Sequence, residues 1–302
     1  MGEESPSWSS AGDWDLERVL GLKGDHRIAV VIPARNEEKT IASVVREITG
    51  NLGPLADDVI VMDSLSSDAT ARCAAEAGAE VHSVGDVRPD LGVHAGKGEA
   101  LWKSLFVTDA DLLVFIDADL TDWGAHFVTG LTGPLLANPE IMLVRGFYDR
   151  VLNAGSSPSL EGGRVTELLA RPWLALHRPA LGGVIQPLAG EWAIRRSAFE
   201  QLEIPMGYGI ELSTLLDIHE RFGLAAITQV DLGRRAHRHQ SLHDLSAMSL
   251  ELLVTAERRR HGGDADASAR PDAVALRLPT LDRGWTVREV ATGERPPYAS
   301  VR

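Results

Sequence analysis

Four carboxylates draw attention because each follows a short apolar run: Glu37 after Ile28 to Ile32, Asp63 after Val59 to Met62, and Asp117 and Asp119 after Leu112 to Ile116. Spacing alone decides nothing, since the chain holds four Asp-x-Asp pairs: Asp13/Asp15, Asp109/Asp111, Asp117/Asp119 and Asp264/Asp266. Only the third follows a run with strand character, Leu-Leu-Val-Phe-Ile. Two carboxylates one residue apart at a strand end can share a cation through oxygen, which suits Mg²⁺ or Mn²⁺ bridging a diphosphate. The plain alternative is a solvated acid pair. Arg234-Arg235-Ala236-His237-Arg238-His239 follows a strand expected to end at Val230 and concentrates positive charge that fits an anion. His237 could complete a metal shell with Asp119, or be a structural histidine. Gly162-Gly163-Arg164-Val165-Thr166 opens a helix, where free N–H groups, an Arg and a Thr can hold a phosphate or carboxylate. Lys97, in Gly96-Lys97-Gly98-Glu99, places a cation at another helix start, and Glu211 in Gly207-Tyr208-Gly209-Ile210-Glu211 stands at a third. Glu211 could bind sugar hydroxyls, act as a base, or only complement a helix dipole.

The elements that must position these residues follow from periodicity. Ile28 to Ile32 predicts a strand, and Ile41, Val44, Val45 and Ile48 fall on one face of a helix from Glu37 to Ile48. Val59 to Met62, Glu80 to Val84 and Leu112 to Ile116 are further strands, separated by helices ending near Ala77 and spanning Gly96 to Val107. Strands alternating with helices imply right-handed crossovers and a parallel sheet covered on both faces, which binds ligands beyond the carboxyl ends of its strands. The second half predicts strands at 141–147, 192–195 and 226–230, and helices at 164–177, 211–222 and 242–260. The expected organisation is a flexible arm over 1–25, a regular α/β half over 26–120, a less regular half over 121–261 and a flexible tail over 262–302, with a docked segment near Trp285.

Composition bounds the function. With 43 acidic against 30 basic side chains the net charge is -13, the wrong sign for bulk nucleic-acid binding. The apolar runs are strand-sized, far below the ~20 residues of a spanning helix. The polar, acidic N-terminus lacks the apolar core of a secretory signal, and Cys73 is the sole cysteine, so a cytoplasmic location is the simplest expectation. The Gly-x-x-x-x-Gly-Lys-Ser/Thr spacing of a P-loop is missing, and no Gly-x-Gly-x-x-Gly follows the first strand, which disfavours a dinucleotide dehydrogenase.

Taken in order, Val31-Ile32-Pro33-Ala34-Arg35-Asn36-Glu37-Glu38, Asp63-Ser64, Lys97-Gly98-Glu99-Ala100-Leu101 and Asp117-Ala118-Asp119 resemble the nucleotide-binding half of a GT-A glycosyltransferase, an α/β fold with a Rossmann-like, mostly parallel sheet. Downstream, Gly146-Phe147-Tyr148-Asp149-Arg150, Gly163 to Leu168, Gln186-Pro187-Leu188-Ala189-Gly190-Glu191, Gly207 to Glu211 and Arg235-Ala236-His237-Arg238 resemble the actinobacterial glucosyl-3-phosphoglycerate synthases, a match covering about residues 28 to 260. The resemblance implies retaining transfer of glucose from UDP-glucose to 3-phosphoglycerate with Mg²⁺ or Mn²⁺, in a homodimer, with the nucleotide sugar bound by the half over 26–120 and the acceptor and metal by the half over 121–261. It implies that Pro33, Ala34, Glu37 and Ser64 surround the uridine, that Lys97 contacts the nucleotide, and that Asp117 lies near the ribose beside Ala118. Asp119 and His237 would bind the metal, Leu188 and Glu211 the donor sugar, and Gly163, Arg164, Val165, Thr166 and His239 the acceptor, with Glu211 and Asp119 as the catalytic pair. Two positions depart from the family pattern: Leu65 stands where Asp-Ser-Gly-Ser has glycine, and His239 where the pattern has Asn. The segment Asn153 to Glu161 is also shorter. A paralogue using another phosphorylated or carboxylated acceptor therefore stays open. A sugar nucleotidylyltransferase would need a glycine-rich loop with Arg and Lys after the first strand, which Pro33-Ala34-Arg35-Asn36-Glu37 is not. A non-catalytic sugar-nucleotide sensor is the third class.

Overall fold

The computed structural model describes residues 5–151, 163–236, 241–260, 271–280 and 283–302. An edge strand β1 (Ser7–Ser10) and helix α1 (Leu16–Lys23) lead into β2 (Ile28–Ala34), α2 (Ile41–Asn51), β3 (Asp58–Asp63), α3 (Thr70–Glu76), β4 (Glu80–Ser83), α4 (Lys97–Ser104) and β5 (Leu112–Phe115). The chain continues through α5 (His126–Ala137), β6 (Leu143–Val151), α6 (Arg171–His177), β7 (Trp192–Arg195), α7 (Arg196–Phe199), β8 (Ile204–Pro205), α8 (Ile210–Phe222), β9 (Ile227–Ala236) and α9 (Leu242–Arg260). It ends with β10 (Ala273–Pro279), β11 (Trp285–Ala291) and β12 (Glu294–Arg295).

Eight strands form one sheet in the order β1-β9-β6-β7-β5-β2-β3-β4. Pairing is parallel except at β7, which runs antiparallel to both β5 and β6. The expected mostly parallel α/β sheet is therefore present. β2 reads as an almost unbroken apolar run because both its faces are covered. Alternate residues serve opposite cores: Ala29 and Val31 pack with Trp102, Phe115 and Leu215 on one face, and Ile28, Val30 and Ile32 with Ile41, Ile48 and Phe127 on the other. Among the described residues no helix is long and apolar enough to cross a membrane.

Three expectations need correction. The arm is part of the fold wherever it is described, from residue 5 on: Ser7–Ser10 extends the sheet beside β9, and Trp14 is buried against Gly133 of α5, where a Cβ would collide with its ring. An edge strand is held by backbone pairing along one side and needs no apolar alternation, so a Ser-rich segment gives no periodic signal. The tail over 262–302 is likewise ordered wherever it is described. β10 and β11 form a hairpin, β12 pairs with β8, and Tyr298 packs edge-on against Phe106. Its anchors are backbone pairings and single side chains, not a repeating apolar face. Finally, β9 does not end at Val230 but continues to Ala236, so Arg234 and Arg235 lie on a strand. Phe147 pairs with Asp231 but Asp149 with Arg234, so β9 carries one extra residue; Gly233, at φ 83, sits in this bulge.

Candidate active site

The crevice follows from the crossovers. From β2 the chain steps to β3 and β4 on one side, then returns through α4 to β5 on the other. The carboxyl ends of β2 and β5 therefore flank a topological switch point, where open α/β sheets bind ligands. Pro33 and Ala34 end β2, Asp63 ends β3 in register with Ala34, and Asp117-Ala118-Asp119 lies just past β5. Ser64 donates its N–H to the Ala34 carbonyl at 2.8 Å, and its hydroxyl accepts from the Gly96 N–H at 3.1 Å. Glu37 enters the loop after β2 with its N–H on Thr70 Oγ1 at 2.7 Å and its carboxylate accepting from Thr40 Oγ1 at 3.0 Å. Two residues in these loops are left-handed without being glycine, Asn36 at φ 58 and Leu65 at φ 60. Asn36 is held by Ser66 and Ser67, whereas Leu65 keeps a 43% exposed apolar side chain on the rim.

Lys97 organises the floor. Its ammonium lies 2.6 Å from Asp117 Oδ1 and 2.6 Å from Glu211 Oε1. Burial alone would push this lysine down, but the two carboxylates outweigh it and hold its pKa well above the ordinary value. The stabilisation from the charge is complete below the ordinary 10.5 and is lost only as pH rises through the higher folded value, so the ammonium persists at neutral pH. Its two flanking glycines are there for proximity. A Cβ on Gly96 or Gly98 would run into the backbone of Pro205 and Met206, and the Gly98 and Glu99 N–H groups donate to the Gly207 and Met206 carbonyls at 3.2 and 2.9 Å. The Gly-Lys-Gly motif thus docks the first turn of α4 onto the segment leading into α8, which carries Glu211.

Beneath Glu211 the buried Arg145 guanidinium donates to the Glu211 carbonyl and to Thr214 Oγ1, and lies over the Trp192 ring at 4.9 Å. Burial pushes its pKa down to about 10, with the Glu211 charge opposing. Gly190 meets the crevice from the far side: a Cβ there would overlap the Asp117 carboxylate. Tyr208 N–H donates to Glu251 Oε2 at 2.6 Å. Burial pushes the Tyr208 phenol's pKa up, with Lys97 opposing and the Glu251, Asp117 and Glu211 charges adding.

Further along the chain, Gly163 precedes a helix that opens at Arg164. Val165 and Thr166 are buried and Arg164 is exposed. From Thr166 to Ala170 the turns are π-helical, with Arg171 N–H bonding to the Thr166 carbonyl. The cause is Pro172, which has no N–H for the Leu168 carbonyl, so the helix widens there before α6. Arg171 donates to the Ile185 carbonyl at 2.8 Å, joining this helix to the loop that carries Leu188 and Gly190.

The structure therefore brings Pro33, Ala34, Glu37, Ser64, Lys97, Asp117, Ala118, Asp119 and Glu211 to one edge of the sheet, with Leu188 and the 163–166 helix start on an adjoining loop. His237 and His239 lie outside the described residues. Sequence reasoning missed Gly190, Tyr208 and Arg145. The first two stood inside motifs already singled out, and a search of residues preceding strands, not only those following them, would have found Gly190.

For a divalent cation, the donor set here is carboxylate oxygen, as a hard ion requires. Gly190 also leaves open a face of Asp117 that any Cβ would fill. Among the described residues no three His, Cys, Asp or Glu gather as a complete ligand set. The residues fit a cation held by few protein groups and completed by ligand oxygens.

Residues 29–202 match the model of glycosyl transferase family 2. The chain is 46% identical over 253 residues to a glucosyl-3-phosphoglycerate synthase of Mycobacterium tuberculosis (strain CDC 1551 / Oshkosh), covering 82% of this chain and 78% of that one. It is 40% identical over 289 residues to a protein of the same name from Petrotoga mobilis, covering 93% and 89%. Its fold is similar to a crystal structure of the M. tuberculosis enzyme in complex with Mn²⁺, UDP and glucosyl-3-phosphoglycerate, with TM-score 0.86, 40% identity, and coverage of 98% and 100%. A second structure of that enzyme, with Mn²⁺, UDP-glucose and phosphoglyceric acid, gives TM-score 0.84 at 41% identity over 96% of each chain. The chain belongs to glycosyl transferase family 2, alongside the glucosyl-3-phosphoglycerate synthases.

Proposed function

We propose that this chain transfers glucose from UDP-glucose to the hydroxyl of 3-phosphoglycerate, with retention at the anomeric carbon and Mg²⁺ or Mn²⁺ as cofactor, in the cytoplasm and as a homodimer. The observation that carries this reading is the Lys97 ammonium held between Asp117 and Glu211 at the switch point of a family 2 sheet. Pro33, Ala34, Glu37 and Ser64 line the nucleoside end of that crevice. Asp117 and Ala118 lie toward the ribose, and Leu188 and Glu211 toward the sugar. Asp119 and His237 would hold the metal ion, which when bound supplies charge neutralisation at the departing diphosphate. Lys97 adds a fixed positive charge on the same side, in a site where water exclusion strengthens it.

Glu211 accepts from Lys97 and is anchored from below by Arg145, so it serves to orient sugar hydroxyls and is not the base. In a front-face displacement, the acceptor oxygen bonds to the anomeric carbon as that carbon's bond to the diphosphate oxygen breaks. The acceptor proton passes to an oxygen of the leaving diphosphate, so no protein base is required. The helix start at Gly163, Arg164, Val165 and Thr166, with His239, would bind the acceptor's phosphate and carboxylate.

Leu65 favours a second reading, a family member with the same donor and a different acidic acceptor, since it alters the rim of the crevice. UDP release from a panel of UDP and GDP sugars, with 3-phosphoglycerate and other acidic acceptors, separates the two. Turnover restricted to UDP-glucose with 3-phosphoglycerate and abolished by EDTA is the expected result. Release of pyrophosphate from a nucleoside triphosphate, or UDP binding without turnover across the panel, would contradict it.

A further inference from the structure

The catalytic reading leaves a buried charge cluster unused. Glu99 and Lys103 on α4 are fully buried, and Arg295 of β12 reaches them from 196 residues away in sequence. Arg295 grips Glu99 with both arms of its fork, Nε to Oε2 at 2.6 Å and Nη2 to Oε1 at 2.7 Å. Two further donors go to the Leu91 and Gly92 carbonyls at 2.5 and 3.2 Å. Lys103 lies 3.4 Å from the same carboxylate and donates to the Val84 and Gly92 carbonyls at 2.7 and 3.0 Å. The preceding residue, Glu294, accepts from Arg259 at 2.7 Å, and Arg259 in turn holds Asp217 of α8 at 2.8 Å. Two consecutive residues of the C-terminal segment therefore tie down the two helices whose first turns carry Lys97 and Glu211.

The main chain closes the same loop. Glu294 and Arg295 pair with Pro205 and Ile204, and Met206 N–H donates to the Gly293 carbonyl at 3.1 Å. Met206 and Gly207 then accept from the first turn of α4. Glu99 is two residues beyond Lys97, roughly 200° around a helix of 3.6 residues per turn. Lys97 faces the crevice and Glu99 the Arg295 fork on the opposite side. Any roll or slide of α4 that relieved a mispaired Glu99 would carry Lys97 off its two carboxylates.

We propose that Glu294-Arg295 is a brace that fixes the Lys97–Glu211 spacing, and that Arg295 is a positioning residue for the donor site although it touches no substrate. The inference rests on the reading of Lys97 and Glu211 as donor-site groups, so the test separates the two. Steady-state UDP release is measured for wild type, Lys97→Met, Arg295→Met, Arg295→Lys and Glu294→Gln, well below each variant's melting temperature. UDP-glucose is varied at saturating acceptor, and acceptor at saturating donor. Arg295→Met and Lys97→Met are each expected to raise the donor KM about tenfold while leaving the acceptor KM within about twofold. Arg295→Lys keeps the charge but loses the fork, and should fall between wild type and Arg295→Met. If Arg295→Met does not fold, a donor-selective KM rise in Arg295→Lys and Glu294→Gln carries the proposal. Wild-type donor KM values in every Arg295 and Glu294 variant that folds, with only the melting temperature lowered, would overturn the brace alone. A wild-type donor KM in Lys97→Met would overturn the donor-site reading and the brace with it.

Discussion

β2, β3 and β5 deliver Ala34, Asp63 and Asp117 to the crevice as the ends of parallel strands, whereas β7 runs the other way and delivers Gly190 from just before its start. In the parallel half, a residue after an apolar run is already at the functional edge, and short hydrogen-bonded loops set its direction. In the second half, position is set by contacts between segments far apart in sequence. Arg145 props Glu211 from a distance of 66 residues, and Gly190 closes on Asp117 from the start of the neighbouring strand β7, 73 positions on in sequence. One half of the site is built by local geometry and the other by long-range packing, so the two should respond differently to substitution.

Gly190→Ala tests the second half and carries the largest expected effect. The added Cβ has no room beside the Asp117 carboxylate, so Asp117 must move and with it Lys97. Displacements of this kind cost about a hundredfold in kcat/KM, and the loss should appear in steady-state kinetics while circular dichroism stays native. Near-normal activity would mean that the crevice yields on its β7 side.

Leu65→Gly tests the parallel half with a smaller effect of opposite sign on stability. A left-handed Leu costs about 1–2 kcal/mol, partly offset by the greater freedom of an unfolded glycine. The net gain is below about 1 kcal/mol, and a scanning melt should rise by roughly 1–2 °C. The donor KM should change by less than about threefold, because the neighbouring Ser64 and Ser66 hydrogen bonds remain. A drop in melting temperature would show that the exposed Leu65 side chain contributes packing that outweighs the backbone cost.

The same contrast explains what the sequence made legible. The strands from β2 to β5 and the carboxylates beyond them were readable, because buried parallel strands are continuous apolar runs and their carboxyl ends are the ligand edge. Glu211 and Lys97 were also readable as residues at helix starts, but their direct pairing was not, since it depends on how α4 docks on Pro205 and Met206. Gly190 escaped because it precedes an antiparallel strand. The N-terminal strand and the C-terminal brace escaped because backbone pairing at a polar edge and a single buried Arg–Glu pair leave no periodicity. The resemblance of the Gly-Tyr-Gly-Ile-Glu and Gln-Pro-Leu-Ala-Gly-Glu motifs singled out Glu211 and Leu188 as expected donor-sugar groups, which periodicity could not.

The proposed chemistry joins glucose to 3-phosphoglycerate through a front-face displacement with Glu211 as an orienting group. Proton NMR of the first-formed product from UDP-glucose and 3-phosphoglycerate tests it most directly. The expected product is a glucoside linked through the acceptor hydroxyl with the donor's α configuration. A β-linked product would contradict it and make Glu211 the base, and free glucose with unmodified 3-phosphoglycerate would contradict the transfer itself.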